Sequence, residues 1–129
     1  MPVPSRLPDA EYEIMQIIWS QPAPITSAQV VVLAEPLKNW KPPTVLTLLR
    51  RLTNRGFLKS EKHGKDLYHT YVITKEEYIK AETEAFMDRF HKKSLRGLMR
   101  AMYSDKKPSA EDIAELEKWL KDEEREEHE

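Results

Sequence analysis

Residues 42–56 read Pro42-Pro43-Thr44-Val45-Leu46-Thr47-Leu48-Leu49-Arg50-Arg51-Leu52-Thr53-Asn54-Arg55-Gly56. Proline is tolerated in the first turn of a helix and glycine favours its end, so both boundaries of a helix are written into the segment. Val45, Leu48, Leu49 and Leu52 fall at i, i+3, i+4 and i+7, a single apolar stripe that must face a core. The opposite side holds Thr44, Thr47, Arg50, Arg51, Asn54 and Arg55. Leu46 lies off the apolar stripe, where a leucine needs a reason to be exposed.

Downstream, Phe57-Leu58-Lys59-Ser60-Glu61-Lys62 and Leu67-Tyr68-His69-Thr70-Tyr71-Val72 are short β-inclined runs joined by His63-Gly64-Lys65-Asp66. They predict a hairpin with a basic tip. Upstream, residues 7–19 predict a first helix, with Pro8 and Asp9 at its start and Ile14, Ile17 and Ile18 at helical spacing. Pro22 and Pro24 end it. Thr26 and Gln29 form a capping box for a second helix that is expected to stop near Pro36. Three helices followed by a hairpin make a winged helix-turn-helix, assigned to residues 1–73.

Beyond residue 73 the chain turns helical. Thr74 and Glu77 make another capping box, opening a helix to about residue 92 with Tyr78, Ala85, Phe86 and Phe90 apolar. Residues 94–103 carry Leu95, Leu98, Met99 and Met102, and Ser109 caps a last helix with Ile113, Leu116, Trp119 and Leu120. The charged residues 122–129 are expected to fray. Three short helices behind a complete winged domain cannot close a good core alone. Pairing with a second copy would bury Tyr78, Phe86, Phe90, Leu95, Leu98, Met99, Met102, Ile113, Leu116, Trp119 and Leu120. Residues 74–129 are therefore expected to form a dimerisation domain, with a small-molecule cavity as the alternative. The fold class is mainly α with a small β-hairpin.

Composition narrows the function. The chain has 129 residues, 40% hydrophobic and 33% charged, and its mean hydropathy of −0.69 suits a small core under a polar surface. The longest apolar run, from Val30 to Ala34, is far short of a bilayer span, and the N-terminal segment lacks the apolar core of a secretory signal. A cytoplasmic protein without membrane attachment is expected. The absence of cysteine excludes disulfides, thiolate zinc sites and cysteine nucleophiles. With only Gly56, Gly64 and Gly97, no glycine-rich phosphate loop or GxSxG elbow can be built. His63, His69, His91 and His128 have neither HExxH spacing nor cysteine partners, so they read as surface or wing residues and not as metal ligands. No cofactor and no enzymatic activity are expected.

The net charge of −1 hides a polarity along the chain: residues 38–65 carry +7 and residues 109–129 carry −7. A basic stretch over a helix and hairpin is the footprint of a polyanion-binding module, here double-stranded DNA. A major groove admits one helix, whose exposed side chains reach base edges and phosphates. Arg51 suits guanine, Thr47 and Leu46 suit thymine methyls, and Lys41, Thr44 and Arg50 complete the candidate face. Lys62, His63 and Lys65 at the wing suit sugar and phosphate. The alternative is a winged helix used for protein–protein contacts in a larger assembly.

The motifs also resemble a known family. Ala10-Glu11-Tyr12-Glu13-Ile14-Met15-Gln16-Ile17-Ile18-Trp19 resembles the AEWxVMxIIW opening of the BlaI/MecI penicillinase repressors. Thr44-Val45-Leu46-Thr47-Leu48-Leu49-Arg50-Arg51-Leu52 resembles their TVxTLLxRL helix, with Gly56-Phe57-Leu58 as its exit. Phe86-Met87-Asp88-Arg89-Phe90 and Ile113-Ala114-Glu115-Leu116 extend the likeness. The resemblance implies a homodimeric repressor of palindromic operators near β-lactamase or related genes, ended by a sensor-linked protease that cuts in the penultimate helix. Two positions depart from the family pattern. Pro8 stands where a Ser or Thr cap is usual, and Ala101-Met102 stands where the penicillinase repressors have an Asn-Phe cleavage bond.

Overall fold

A computed structural model describes residues 6–127 of the chain. The order of elements is α1 (Asp9–Trp19), β1 (Ile25–Thr26), α2 (Ser27–Lys38), α3 (Pro42–Asn54), β2 (Leu58–His63), β3 (Asp66–Tyr71), α4 (Lys75–Phe90), α5 (Leu95–Met102) and α6 (Ala110–Glu127). The described residues form two compact units that divide after Ala85.

The first unit is a winged helix-turn-helix. Val45, Leu48, Leu49 and Leu52 are all buried, so the stripe of α3 faces the core, against Ile14, Met15 and Ile18 of α1 and Val30 and Ala34 of α2. Each of the buried Val, Leu, Ile and Met side chains contributes about 1.5–3 kcal/mol relative to leaving it in water. The exit of α3 follows from Gly56: at φ +87 it lets its own N–H reach the Thr53 carbonyl (3.1 Å) and that of Phe57 the Leu52 carbonyl (3.0 Å). This paired capping brings fully buried Phe57 back over Leu52 and aims the chain into the wing. β2 and β3 pair antiparallel from Leu58↔Tyr71 to His63↔Asp66, and Gly64, at φ +64, opens the two-residue turn between them.

Four details differ from expectation. The sheet has three strands in the order β1-β3-β2, because Ile25 and Thr26 pair with His69 and Tyr68. Two residues behind a proline-rich linker carry no periodicity, so sequence reasoning sees only the cap. That cap is real: Thr26 Oγ1 accepts from the Gln29 N–H at 3.1 Å, while Gln29 Oε1 accepts from the Thr26 N–H at 2.8 Å. α2 passes through Pro36 and ends at Asn39, which is left-handed at φ 53. Val32 and Pro36 are both exposed, so the carbonyl that loses its donor lies on the solvent side. α6 is helical to Glu127, past residue 122 where fraying was expected to begin, and residues 128–129 of that tail lie outside the described residues. Ser109 caps it, acids occupy its first turn, and residues 110–127 contain no glycine or proline.

The fourth detail concerns Tyr78, expected in a dimer interface. It is buried in the first unit, with ring centroids of Phe57, Tyr12 and Trp19 at 5.6, 5.7 and 5.9 Å. Its hydroxyl accepts from the Leu7 N–H at 2.9 Å, and Trp19 Nε1 donates to the Ile73 carbonyl at 3.0 Å. The expected division between residues 73 and 74 falls ahead of this helix, whereas the compact unit continues to Ala85 because Tyr78 completes its core.

The second unit holds the end of α4, with α5 and α6. Ser94 Oγ accepts from the Gly97 N–H and caps α5. Among described residues 86–126 none is buried. Phe86, Phe90, Leu95, Met102, Ile113, Leu116, Trp119 and Leu120 are exposed, while Leu98 and Met99 are half-buried. No helix among the described residues is long and apolar enough to cross a membrane.

Candidate nucleic-acid interface

α3 presents its polar side to solvent because its apolar side is used in the core. Lys41, at the N-cap, and Thr44, Arg50 and Arg51 are exposed, and Leu46 is 44% exposed beside them. Among the described residues no carboxylate lies within salt-bridge distance of Lys41, Arg50 or Arg51. Thr47, expected to meet thymine methyls, is half-buried, and its Oγ1 donates to the Pro43 carbonyl at 2.9 Å. Its methyl group and oxygen lone pairs remain for contacts outside the helix.

Arg55 leaves this cationic face. Its Nε donates to Oε1 of Glu11 at 2.8 Å, tying the end of α3 to buried Glu11 of α1. The sequence signal for this partner was present but silent, since an acid in the first turn of an amphipathic helix ordinarily faces water. The wing is divided in the same way. Glu61 lies 3.2 Å from Lys59 Nζ and 3.4 Å from His63 Nε2, and these two partners hold its carboxyl below the ordinary range. Lys62 and Lys65 are exposed with no such partner among the described residues. Of the predicted wing contacts, Lys62 and Lys65 keep an unopposed charge, whereas His63 faces Glu61 and packs edge-on against Tyr68 at 5.6 Å.

Between α3 and the wing lies a concavity of about 260 Å³, lined by Ser27, Leu46, Leu49, Arg50, Thr53, Asn54, Ser60, Leu67 and His69. His69, read from sequence as a surface or wing residue, is buried at its floor with both ring nitrogens in hydrogen bonds. The alternation along β3 did not reveal this, since Leu67, two residues before it, is exposed and the hydroxyls that satisfy His69 come from α2 and β2. His63 and His91 lie outside this cluster, and His128 lies outside the described residues. The groove-sized helix, its unopposed cations and the adjacent cationic wing tip are the parts a duplex would engage together: base edges by α3, backbone by its N-terminus and the wing.

Comparison with known proteins agrees with this geometry. A family model described as penicillinase repressor matches residues 7–122. The chain is 30% identical over 111 residues to the penicillinase repressor of Bacillus licheniformis, covering 86% of each. It is 29% identical over 108 residues to the methicillin resistance regulatory protein MecI of Staphylococcus aureus strain N315, covering 83% of this chain and 86% of that one. The solution structure of the DNA-binding domain of the repressor BlaI matches with a TM-score of 0.53 and 31% identity, over 60% of this chain and 92% of that chain. The monomeric form of Bacillus licheniformis BlaI in complex with the blaP half-operator matches with a TM-score of 0.51 at the same identity and coverage.

Proposed function

The chain belongs to the penicillinase repressor family, and from that membership we propose that it represses transcription by binding a palindromic DNA operator as a homodimer. The family is one of transcriptional repressors and not of enzymes. The observation that carries the DNA reading is the unopposed cationic face of α3, with Lys41, Arg50 and Arg51, set beside Lys62 and Lys65 of the wing. The monomeric form of Bacillus licheniformis BlaI, which matches 60% of this chain, is solved with a half-operator bound, and this supports the same use of this surface. In this reading Arg51, Thr47 and Leu46 meet bases, and Lys41, Thr44, Arg50, Lys62, His63 and Lys65 meet the backbone.

The homodimer is supported by the second unit. Residues 86–126 leave Phe86, Phe90, Leu95, Met102, Ile113, Leu116, Trp119 and Leu120 exposed, and apolar side chains exposed together mark association surfaces. A two-fold pair buries such a surface against its own copy. Genes for β-lactamase or a related resistance function are the proposed targets. A sensor-linked protease is the proposed release, acting at exposed Ala101 and Met102 in the last turn of α5. Cutting there would detach α6 with Ile113, Leu116, Trp119 and Leu120.

The test is a binding titration of the full chain on its own promoter region and on random DNA at several salt concentrations. If six to ten phosphates are contacted, affinity falls by about 10³–10⁵ between 50 and 200 mM salt. Equal, salt-insensitive affinity for both DNAs would refute the reading.

A further inference from the structure

The longest side-chain relay of the described residues runs where α2, α3 and the wing meet. His69 of β3 is 1% exposed. Its Nε2 lies 2.7 Å from Ser27 Oγ in the first turn of α2, and its Nδ1 lies 2.8 Å from Ser60 Oγ on β2. Ser60 Oγ is 2.9 Å from Thr53 Oγ1 near the end of α3. Thr53 Oγ1 donates to the Leu49 carbonyl at 2.9 Å.

A hydroxyl carries one proton and a carbonyl none, so the proton positions follow from the far end of the relay. Thr53 gives its proton to Leu49 and therefore accepts from Ser60. Ser60 then has no proton for His69 and must accept from an Nδ1–H. A neutral imidazole protonated at Nδ1 has its lone pair on Nε2, which accepts from the Ser27 hydroxyl. Every bond thus points the same way, from Ser27 through His69, Ser60 and Thr53 to Leu49.

We infer that His69, held as the Nδ1–H tautomer by this relay, is a positioning residue for DNA binding that locks the wing and α2 to the recognition helix. The lock sets the wing cations Lys62 and Lys65 in one register with Arg51, so that base and phosphate contacts form on the same duplex. The inference rests on the DNA-binding reading above.

The surroundings favour the neutral ring. Burial lowers the pKa of His69. The ring faces the first turn of α2, the positive end of that helix dipole. Arg50 of α3 lines the same concavity, which has no acidic residue in its lining. From β1 and β2 the cross-strand neighbours are uncharged Ile25 and Ser60. A buried network whose members are all satisfied specifies one arrangement of the elements it joins, which is the property a two-part DNA grip requires.

Two measurements on the full chain test this. Long-range proton–nitrogen correlation of the histidine rings, at neutral pH and without DNA, should show His69 as the Nδ1–H tautomer, and an Nε2–H tautomer would overturn the relay. Binding by His69→Asn and His69→Gln then separates its two arms. The Asn amide nitrogen takes the place of Nδ1 and keeps the bond to Ser60, whereas Gln reaches the place of Nε2 and keeps only Ser27. With both variants folded by circular dichroism, Gln should lose operator affinity about tenfold, the equivalent of one strong contact. Its salt slope should fall by about one, one phosphate's share, while Asn keeps the wild-type slope. Equal slopes for the two variants would overturn the positioning role. A wild-type chain that bound no operator would refute the DNA-binding reading, and the positioning role with it, whatever tautomer the spectrum showed.

Discussion

Arg55 Nε lies 2.8 Å from Oε1 of Glu11, and the two side chains differ sharply in exposure: 39% for Arg55 against 2% for Glu11. The pair joins the last residue before Gly56 to the first turn of α1, so the end of the recognition helix is fixed by a charge that cannot reach water on its own. The energetic consequence is asymmetric. Arg55→Met leaves a buried carboxylate without its partner and should destabilise the chain by about 3 kcal/mol, the lower edge for breaking a buried pair because Arg55 is partly solvated. Glu11→Gln keeps an acceptor for Arg55 and leaves a guanidinium that water can reach, so it should cost about 1 kcal/mol. Urea unfolding midpoints of the two variants check the order, and a larger loss for Glu11→Gln would contradict it.

Arg51 and Lys65 should report on different parts of recognition. A bidentate arginine contact is worth about 1–3 kcal/mol of base discrimination, so Arg51→Ala should narrow the gap between operator and random DNA. Lys65→Ala should weaken both DNAs alike and reduce the salt slope by about one. Parallel titrations on the two DNAs at two salt concentrations separate these outcomes. An Arg51 variant that lost the same factor on both would remove Arg51 from base reading.

The limits of reading this fold from sequence are visible in particular residues. The stripe Val45, Leu48, Leu49, Leu52 and the caps at Thr26, Thr74 and Ser109 were legible because each is a local pattern whose partners lie within eight residues. Glu11, His69 and Tyr78 were not, because their partners are 44, 42 and 71 residues away. A buried polar residue is recognised by the group that satisfies it, and that group is supplied by tertiary structure. Tyr78 shows the converse error: its helical spacing with Phe86 groups it with the second unit, yet Phe57, Trp19 and the Leu7 amide claim it for the first. The charge tally of the basic stretch was likewise coarser than the surface, since Glu11, outside the stretch, takes up Arg55, and Glu61 within it is set against Lys59, leaving Lys62 and Lys65 unopposed.

Acid should weaken the fold through His69 before it reaches the carboxylates. Burial lowers the His69 pKa from its ordinary 6.5, so below about that pH the unfolded chain binds a proton that the folded chain resists. This contribution is fully present above pH 6.5 and is lost as pH falls from there toward the lowered folded-state value. The slope is at most one proton, about 1.4 kcal/mol per pH unit. Glu61 and Glu77, whose carboxyls are lowered from 4.5 by hydrogen bonds from their neighbours, lose those bonds only in stronger acid. Urea midpoints between pH 7.5 and 5 should therefore fall in the wild type and flatten in His69→Asn. An identical slope in both would show that another group carries the dependence.

The placement of Tyr78 makes the cut point of a truncation decisive. A chain ending after Ala85 keeps the aromatic cluster of Tyr12, Trp19, Phe57 and Tyr78 and should remain a folded monomer with weak operator affinity, since each half-site would bind alone. A chain ending after Ile73 loses Tyr78 and exposes Phe57, Tyr12 and Trp19; removing a buried aromatic costs about 3–5 kcal/mol. That is a large share of the 5–15 kcal/mol that holds a small domain together, so this shorter piece should melt far earlier or not fold. The full chain should sediment as a dimer at micromolar concentration. Phe90→Glu and Trp119→Glu, both on the exposed apolar surface of residues 86–126, should shift it to monomer while leaving the thermal transition of the winged unit in place. A monomeric wild type, or a dimer unmoved by both charges, would place the self-association elsewhere or remove it.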